Sequence, residues 1–232
     1  MDEIKEILRK LSNAHGVSGY EDDIREIIKA ELEDYVDEIK IDKMGNIICI
    51  KNGNEFKEMI AAHIDEIGFM VKYIDDKGFI RFAPIGGWFD QIALGQRVIL
   101  HGKKGKVYGV IGCKPPHIMK EDERKKIVEI KDMFIDVGAR SKEEVLEMGI
   151  EVGTPITIDR EFVELKNGRV TGKALDNRAG VAMMIQALKE TKSNATIYAV
   201  GTVQEEVGLK GARVSAFAIE PDVALLLVSF NA

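Results

Sequence analysis

The sequence is poor in cysteine, histidine and aromatic residues. Its 232 residues include 2 cysteines, 4 histidines and 6% aromatic residues. Two cysteines cannot build a disulfide framework. A reducing compartment such as the cytoplasm is therefore expected. Cys49 and Cys113 lie in apolar, strand-like surroundings and are expected to be small core residues.

The chain also lacks long apolar runs and an excess of positive charge. No apolar run approaches the roughly 20 residues that cross a membrane, and the first residues have no signal-peptide pattern. The net charge is -6, which argues against an extended nucleic-acid-binding surface. A content of 45% hydrophobic and 31% charged residues is typical of a globular protein. No nucleic acid and no membrane are therefore expected as partners.

Helix and strand patterns alternate at both ends of the chain. Apolar residues at helical spacing predict a helix that begins near Ile4, and a capping-box pattern, Ser18 with Glu21, predicts a second helix. The predicted strands cover residues 38–42, 47–50, 58–62, 196–203 and 223–228. The last two are apolar and are predicted to be buried. This alternation indicates an α/β fold with a sheet flanked by helices.

The middle of the chain has a different pattern. Residues 69–160 show short alternating strands separated by Gly and Asp turns, and Ser141 with Glu144 predicts a short helix. We therefore expect a small β-rich domain at 69–160, inserted in a discontinuous α/β domain made of 1–68 and 161–232.

Two adjacent carboxylates, Glu205 and Glu206, follow the predicted strand over 196–203. Negative charges at the end of a buried strand are costly unless a positive charge is nearby. Adjacent side chains on an extended backbone point in opposite directions, so Glu205 and Glu206 are expected to have different roles. The alternative is a charged surface turn.

Two further stretches place polar side chains at the ends of elements. His63 follows a predicted strand, and Asp65, two residues on, can orient an imidazole that binds a metal through its other nitrogen. A hydrogen-bonded structural histidine is the alternative. Asp176 precedes a predicted helix, where a carboxylate is favoured, and its alternative role is an N-cap.

Together these residues favour a metal site. His63, Asp176 and Glu206 all lie at the edge where α/β proteins assemble ligand sites. One imidazole and two carboxylates suit zinc, cobalt or manganese. The lack of a cysteine ligand argues against a structural zinc site.

The same three stretches resemble the motifs of a known enzyme family. His63–Gly68 (HIDEIG), Ala174–Arg178 (ALDNR) and Val203–Gly208 (VQEEVG) are similar, in this order, to motifs of the tetrahedral (TET) aminopeptidases. These are cytosolic two-metal exopeptidases, whose relatives include glutamyl aminopeptidases and some proteins labelled endoglucanases. The resemblance extends over about residues 1–227.

The resemblance implies a role for each residue. His63 would bind one metal ion, Glu206 the other, and Asp176 would bridge them. Asp65 would orient His63, and Glu205 would be the general base. The implied cofactors are two divalent metal ions per subunit, zinc or cobalt. They would activate a water that attacks the first peptide bond of short peptides with a free N-terminus.

The resemblance also implies self-association. The inserted domain would make dimers, and these would build a hollow dodecamer. The apolar run Ile85–Phe89 would suit a buried contact between subunits. Alternatively, Trp88 within it would fill the core of the inserted domain itself.

The sequence departs from the family near its C-terminus. The family has an aspartate ligand in the last strand, where alignment places Val228, and a further histidine ligand downstream. Of the expected ligands only His63, Asp176 and Glu206 are present. The chain is therefore interpreted as C-terminally truncated or altered by a shifted reading frame, and its activity is expected to be impaired.

Three functions stay open. The first is a metal-dependent aminopeptidase, impaired in this chain. The second is a catalytically inactive assembly or binding subunit. The third is a glycosidase, as the endoglucanase label of some relatives suggests, whose chemistry needs two carboxylates and no metal.

Overall fold

The computed structural model of the chain describes residues 2–121 and 125–229. It divides into two compact units. The α/β unit consists of residues up to 66 together with those from 161 onward, and the barrel unit consists of residues 67–160. The sequence predicts these junctions after residues 68 and 160.

Two helices precede the first strands, and helices and strands alternate towards the C-terminal end of the described chain. The described helices are α1 (Asp2–Asn13), α2 (Asp22–Leu32), α3 (Asp90–Ala93), α4 (Lys142–Glu147), α5 (Leu175–Glu190) and α6 (Lys210–Ile219). The described strands are β1 (Glu38–Ile41), β2 (Ile47–Lys51), β3 (Lys57–His63), β4 (Gly68–Ile74), β5 (Ile80–Ile85), β6 (Arg97–Gly102), β7 (Gly105–Gly112), β8 (Phe134–Asp136), β9 (Pro155–Ile158), β10 (Val163–Glu164), β11 (Val170–Thr171), β12 (Thr196–Thr202) and β13 (Val223–Leu226).

The α/β unit is organised around a five-stranded sheet with the order β1-β2-β12-β3-β13. β12 and β13 run parallel to β3, whereas β2 runs antiparallel to β1 and β12. Because β3 and β12 are parallel neighbours, their carboxyl ends meet at the same edge, with Thr202 opposite His63. The predicted α/β class is confirmed.

Both faces of the sheet carry apolar side chains. The alternation of β2 sends Ile47 and Cys49 to one face and Ile48 and Ile50 to the other. Helices α1, α2 and α5 pack on the first face, and Ile219 of α6 packs on the second. The helices α1 and α5 thus support the sheet beside the strand ends where the predicted site residues lie.

The last strand departs from the prediction. β13 is shorter than predicted, and its residues are exposed, with Leu226 61% exposed. It lies at an edge of the sheet and, among the described residues, pairs only with β3. The prediction of a buried strand was wrong because apolar composition does not reveal whether a second layer covers a strand.

The barrel unit is a closed six-stranded barrel with the order β4-β5-β8-β7-β6-β9. Its core includes Trp88, which stacks on Phe69 with ring centroids 4.3 Å apart. The indole N–H of Trp88 donates to the carbonyl of Gly68 at 2.9 Å. Trp88 therefore packs against the core of its own unit, the second of its two predicted roles.

The two capping-box predictions have different outcomes. Ser141 accepts a hydrogen bond from the N–H of Glu144 at the start of α4, which confirms the prediction for Ser141. At α2 the N-cap is Glu21, without a side-chain capping bond. Ser18 instead donates to the carboxylate of Asp65. The helix predicted after Ser18 is therefore confirmed as α2, and the predicted cap is wrong because the helix begins only at Asp22 and leaves Ser18 outside it.

The cysteines are both free thiols, and they differ in burial. Cys49 is buried in β2, whereas Cys113 is half-buried after β7. The predicted core position is confirmed for Cys49 and wrong for Cys113. None of the helices in the described ranges has the length and apolar character needed to cross a membrane.

Candidate metal centre

The candidate site lies where β3 and β12 end. His63 is the last residue of β3, and its partner Thr202 ends β12, just before Glu205 and Glu206. Asp176 lies in the first turn of α5. These three elements bring His63 and Asp176 together although they are 113 positions apart in the chain.

The imidazole of His63 is at the centre of the cluster. Its Nε2 is 3.2 Å from Oδ1 of Asp176 and 4.0 Å from Oε2 of Glu205. One ligand atom each of His63, Glu205 and Glu206 lies within 4.8 Å of the others. The structure thus brings these four predicted residues together, while the roles assigned to them stay predictions.

Asp65 is fully buried beside His63. Its Oδ1 is 3.5 Å from Nδ1 of His63, and its carbonyl oxygen is 3.2 Å from the same nitrogen. The carboxylate also accepts hydrogen bonds from the backbone N–H groups of Glu205 at 3.0 Å and Glu206 at 3.1 Å. The hydroxyl of Ser18 donates to it at 2.6 Å. One side chain therefore fixes both the imidazole and the backbone of the two glutamates.

Sequence reasoning missed Ser18 and Glu21 as supports of the site. Oε1 of Glu21 accepts hydrogen bonds from the N–H groups of Gly19 at 2.8 Å and Gln204 at 3.2 Å. Gln204 has a left-handed backbone with a φ of 54°, which is uncommon for a residue other than glycine. Glu21 thus holds the turn that leads into the two glutamates. The only signal in the sequence was the capping-box pattern, which indicated a helix start instead.

Charges in the cluster shift the pKa values of its members. Burial would lower the pKa of His63, but the hydrogen bond and charge of Asp65, with the charges of Glu205 and Asp176, raise it overall. Burial would raise the pKa of Asp65, but hydrogen bonds from His63, Ser18 and the Glu205 backbone hold it below its usual range. Asp65 is therefore the ionised partner of the imidazole.

Glu206 is half-buried, and its pKa is raised. Burial raises the pKa of Glu206 to about 7, and the charges of Asp65, Glu205 and Asp176 add to the rise while His63 opposes it. The cluster places four carboxyl groups, those of Asp65, Asp176, Glu205 and Glu206, beside the one imidazole of His63. A divalent cation would favour the ionised form of these carboxyl groups.

The donor set fits a metal ion such as zinc or cobalt. Imidazole nitrogen and carboxylate oxygen bind zinc at about 2.0–2.2 Å, so two ligand atoms of a tetrahedral ion lie about 3.3 Å apart. The 3.2 Å between Nε2 of His63 and Oδ1 of Asp176 matches this spacing, whereas the 4.0 Å to Oε2 of Glu205 exceeds it. The spacing thus suits Asp176 as a ligand beside His63, whereas the atoms that all lie within 4.8 Å of one another belong to His63, Glu205 and Glu206.

Val228, which aligns with a ligand position of the resembled family, has no donor atom and is 55% exposed. The segment around it lies close to the start of α5. The hydroxyl of Ser229 donates to Oδ1 of Asn177 at 3.0 Å, and Nδ2 of Asn177 donates to the carbonyl of Leu227 at 2.6 Å. This segment therefore runs beside Asp176 without contributing a ligand through Val228.

Comparison with known proteins identifies related sequences and structures. The family described as M42 glutamyl aminopeptidase matches residues 45–228. Among curated relatives, the lysyl aminopeptidase of Pyrococcus furiosus is 42% identical over 226 residues, which cover 96% of this chain and 65% of the relative.

Two solved structures share the fold. The TET aminopeptidase of a marine sediment Thaumarchaeota archaeon matches with a TM-score of 0.94 and 44% identity, over 97% of this chain and 65% of that one. The Pyrococcus horikoshii TET1 peptidase, described as able to assemble into a tetrahedron or a large octahedral shell, matches with a TM-score of 0.89 and 38% identity. That match covers 98% of this chain and 69% of the peptidase. This chain spans 63–65% of the length of the first curated relatives that it matches. The chain belongs to the M42 glutamyl aminopeptidase family.

Proposed function

We propose that this chain carries the metal-binding part of an aminopeptidase that hydrolyses N-terminal residues from short peptides. The observation that carries the proposal is the convergence of His63, Asp176 and the Glu205–Glu206 pair at the carboxyl ends of β3 and β12. The family supports the reaction class, since the matching relatives are named aminopeptidases.

His63, Asp176 and Glu206 are the proposed ligands, and zinc or cobalt is the proposed metal. A complete site of the resembled family would hold two such ions, and the three ligands of this chain are proposed to hold one. When bound, such ions would lower the pKa of a water molecule and polarise the peptide carbonyl. Asp65 orients the imidazole through Nδ1, which leaves Nε2 facing Asp176.

Glu205 is the proposed general base. Its Oε2 lies 4.0 Å from Nε2 of His63, and its side chain is 33% exposed, so it borders both the ligands and the solvent. In this role Glu205 accepts the proton of the attacking water and returns it to the leaving amine. Hydrogen bonds from the Glu205 backbone to Asp65 support its position.

We expect slow turnover from this chain. A catalytic site for two ions needs ligands that fix both and leave room for water and substrate. His63, Asp176 and Glu206 supply three ligands, and Val228 supplies none. One weakly held ion and low activity would follow. A catalytically inactive assembly or binding subunit is the alternative.

A glycosidase fits the geometry less well. That chemistry places two carboxylates on either side of a sugar, without an imidazole between them. Here Nε2 of His63 lies beside the carboxylates of both Asp176 and Glu205. This arrangement supports metal binding.

Hydrolysis assays with and without chelator test the proposal. Aminoacyl-amides and cellulose oligomers are offered to the same sample, with added Co²⁺ or with chelator. We expect slow, metal-dependent amide hydrolysis that is lost on chelation and in Glu205→Gln. Cellulose cleavage that resists the chelator would overturn the aminopeptidase proposal.

We also propose that the barrel unit makes dimers, which assemble into a dodecamer in a cytoplasmic setting. The support is the assembly described for the Pyrococcus horikoshii TET1 peptidase. Within the barrel unit, Phe89 is 58% exposed and Ile92 is 51% exposed, so apolar surface is available for a contact. The free thiols of Cys49 and Cys113 agree with a reducing compartment.

A further inference from the structure

A second group of charged side chains is buried in the α/β unit, and the proposed mechanism does not use it. Glu66, Lys173 and Arg178 are 3%, 7% and 0% exposed. Glu66 directly follows Asp65, and Arg178 follows Asp176 by two residues, so the group lies in the same stretches as the site residues.

Glu66 is at the centre of this group. Nζ of Lys173 is 2.8 Å and 3.0 Å from its two carboxylate oxygens, and Nη2 of Arg178 is 3.8 Å from Oε1. The N–H of Gly16 donates to Oε1 at 2.9 Å, and the N–H of Glu66 donates back to the carbonyl of Gly16 at 2.8 Å. A Cβ at Gly16 would lie 3.0 Å from Nη2 of Arg178, which shows how closely the backbone approaches the guanidinium.

The group joins three segments of the chain. Nη1 of Arg178 donates to the carbonyl of Leu11 at 2.8 Å, and Nζ of Lys173 donates to the carbonyl of Ala14. The hydroxyl of Ser12 donates to the carbonyl of Lys173 at 2.7 Å. The end of β3, the end of α1 and the entry to α5 are therefore tied together by directed hydrogen bonds.

Buried charges of this kind are a weak source of net stability, because the cost of removing them from water offsets their attraction. Their directed bonds nevertheless specify one relative position of the segments that they join. The segments joined here carry His63 and Asp65 on one side and Asp176 on the other. The effect of the group should therefore be visible in the geometry of the site.

We propose that Glu66, Lys173 and Arg178 are positioning residues. They hold the 63–65 segment against Asp176, so that the ligand atoms are close together before a metal binds. For metal affinity the inference rests on the proposed function. For the position of the segments it does not, since these hydrogen bonds involve none of the three proposed ligands.

The test compares Lys173→Met with Lys189→Met. Lys189 forms a comparable ion pair with Glu31 at 2.8 Å, with side chains 11% and 13% exposed, between α5 and α2. In the described part of the chain, the ion pairs of Lys189 go to Glu31 and Glu3 and not to a site residue. Lys173→Met loses the ion pair with Glu66, and Lys189→Met loses the ion pairs with Glu31 and Glu3. Only the first variant loses a tie to the site.

The first readout is hydrogen exchange of the Glu205 and Glu206 amides without metal, because both donate to Asp65. At matched global stability, these amides should exchange about 10-fold faster in Lys173→Met than in Lys189→Met. The second readout is Co²⁺ affinity, which should fall about 10-fold to 100-fold in Lys173→Met and stay near the parent value in Lys189→Met.

Equal amide exchange in the two variants would overturn the proposal. If the parent binds no Co²⁺ but the exchange rates differ, the positioning role is supported and the proposed function fails. Lys173→Arg keeps the charge and should bring the exchange back toward the parent rate. If Lys173→Met does not fold, Glu66→Gln is compared with Glu31→Gln by the same readouts, with the same expected difference.

Discussion

At the scale of single residues, the adjacent carboxylates Glu205 and Glu206 have different surroundings although Asp65 binds the backbone of both. Glu205 keeps a third of its side chain exposed and lies 4.0 Å from Nε2 of His63. Burial raises the pKa of Glu206 to about 7. The proposed proton-transfer role of Glu205 therefore rests on its partial exposure beside the imidazole of His63. The ligand role proposed for Glu206 rests on the cluster of ligand atoms that it forms with His63.

This division of roles is testable with one isosteric change at each position. Glu205→Gln should lower the rate of aminoacyl-amide hydrolysis about 100-fold or more, because the base is lost, and leave metal affinity nearly unchanged. Glu206→Gln should weaken metal binding about 10-fold or more, because a charged ligand is lost. Equilibrium dialysis with Co²⁺ and initial rates measure the two effects. An equal loss of affinity in both variants would contradict the assignment.

The raised pKa of Glu206 also predicts how stability depends on pH without metal. The folded chain keeps this proton up to a pH of about 7, whereas a free glutamate releases it near 4.5. The folded state therefore binds more protons between these values, so the free energy of unfolding falls as pH rises through this window. The fall should be about 1 kcal/mol, since water screens a half-buried group.

Urea unfolding at a series of pH values measures this effect. Glu206→Gln cannot titrate and should make the fall between pH 4.5 and 7 smaller. A part of the fall should remain, because burial also raises the pKa of Glu21 above 4.5. His63, whose pKa is also raised, contributes stability that is lost only above the usual histidine range, so it leaves the lower part of the window unchanged. Parallel pH profiles for the parent and the variant would contradict the shifted pKa.

Much of the candidate site could be predicted from the sequence, and its supports could not. His63 and the Glu205–Glu206 pair follow strand patterns, and parallel strands end at one edge, so their approach follows from local signals. Ser18 and Lys173 contact carboxylates 47 and 107 positions away, which no local pattern indicates. The capping-box pattern at Ser18 failed because α2 begins at Asp22 with Glu21 as its N-cap, which leaves Ser18 outside the helix, where its hydroxyl donates to Asp65.

At the scale of elements, β13 is the strand with the most exposed apolar surface in the sheet. Val223, Leu225 and Leu226 are 54%, 54% and 61% exposed. In the described part of the chain, β13 is paired along one edge only. A free edge with apolar side chains is a template for pairing with another chain.

A charge placed on this edge should therefore reduce non-specific association. Leu226→Lys should lower turbidity at high protein concentration and change the free energy of unfolding by less than about 0.5 kcal/mol. Leu165→Lys is the matched control, because Leu165 is 51% exposed and lies away from the sheet edge. Equal turbidity of the two variants would show that β13 is not the source of association.

The elements also show where sequence patterns stop being informative. Alternating residues predict the strands of the barrel unit, but closure depends on pairs such as β5 with β8, whose residues Ile80 and Ile135 are distant in sequence. The apolar run of β13 predicts a strand correctly and its burial incorrectly. In both cases the missing information is which other element covers or pairs with the strand.

At the scale of the whole molecule, the proposed assembly depends on the barrel unit. Light scattering at micromolar concentration should give at least a dimer. Phe89→Asp should shift the chain toward monomer, because it places a charge in the proposed contact. Phe217→Asp is the control, since Phe217 is 83% exposed on α6 in the other unit. A monomeric parent, or the same shift in both variants, would reject the proposed contact.

His63, Asp176 and Glu206 are proposed to hold one divalent cation together. Calorimetric titration of the chain with Co²⁺, paired with a peptidase assay on the same sample, measures this binding. We expect one weak site per chain, proton release on binding because the pKa values of His63 and Glu206 are raised, and little turnover. His63→Ala should abolish the binding. Two tight sites with rapid turnover, or binding that His63→Ala leaves unchanged, would rule out the proposed site.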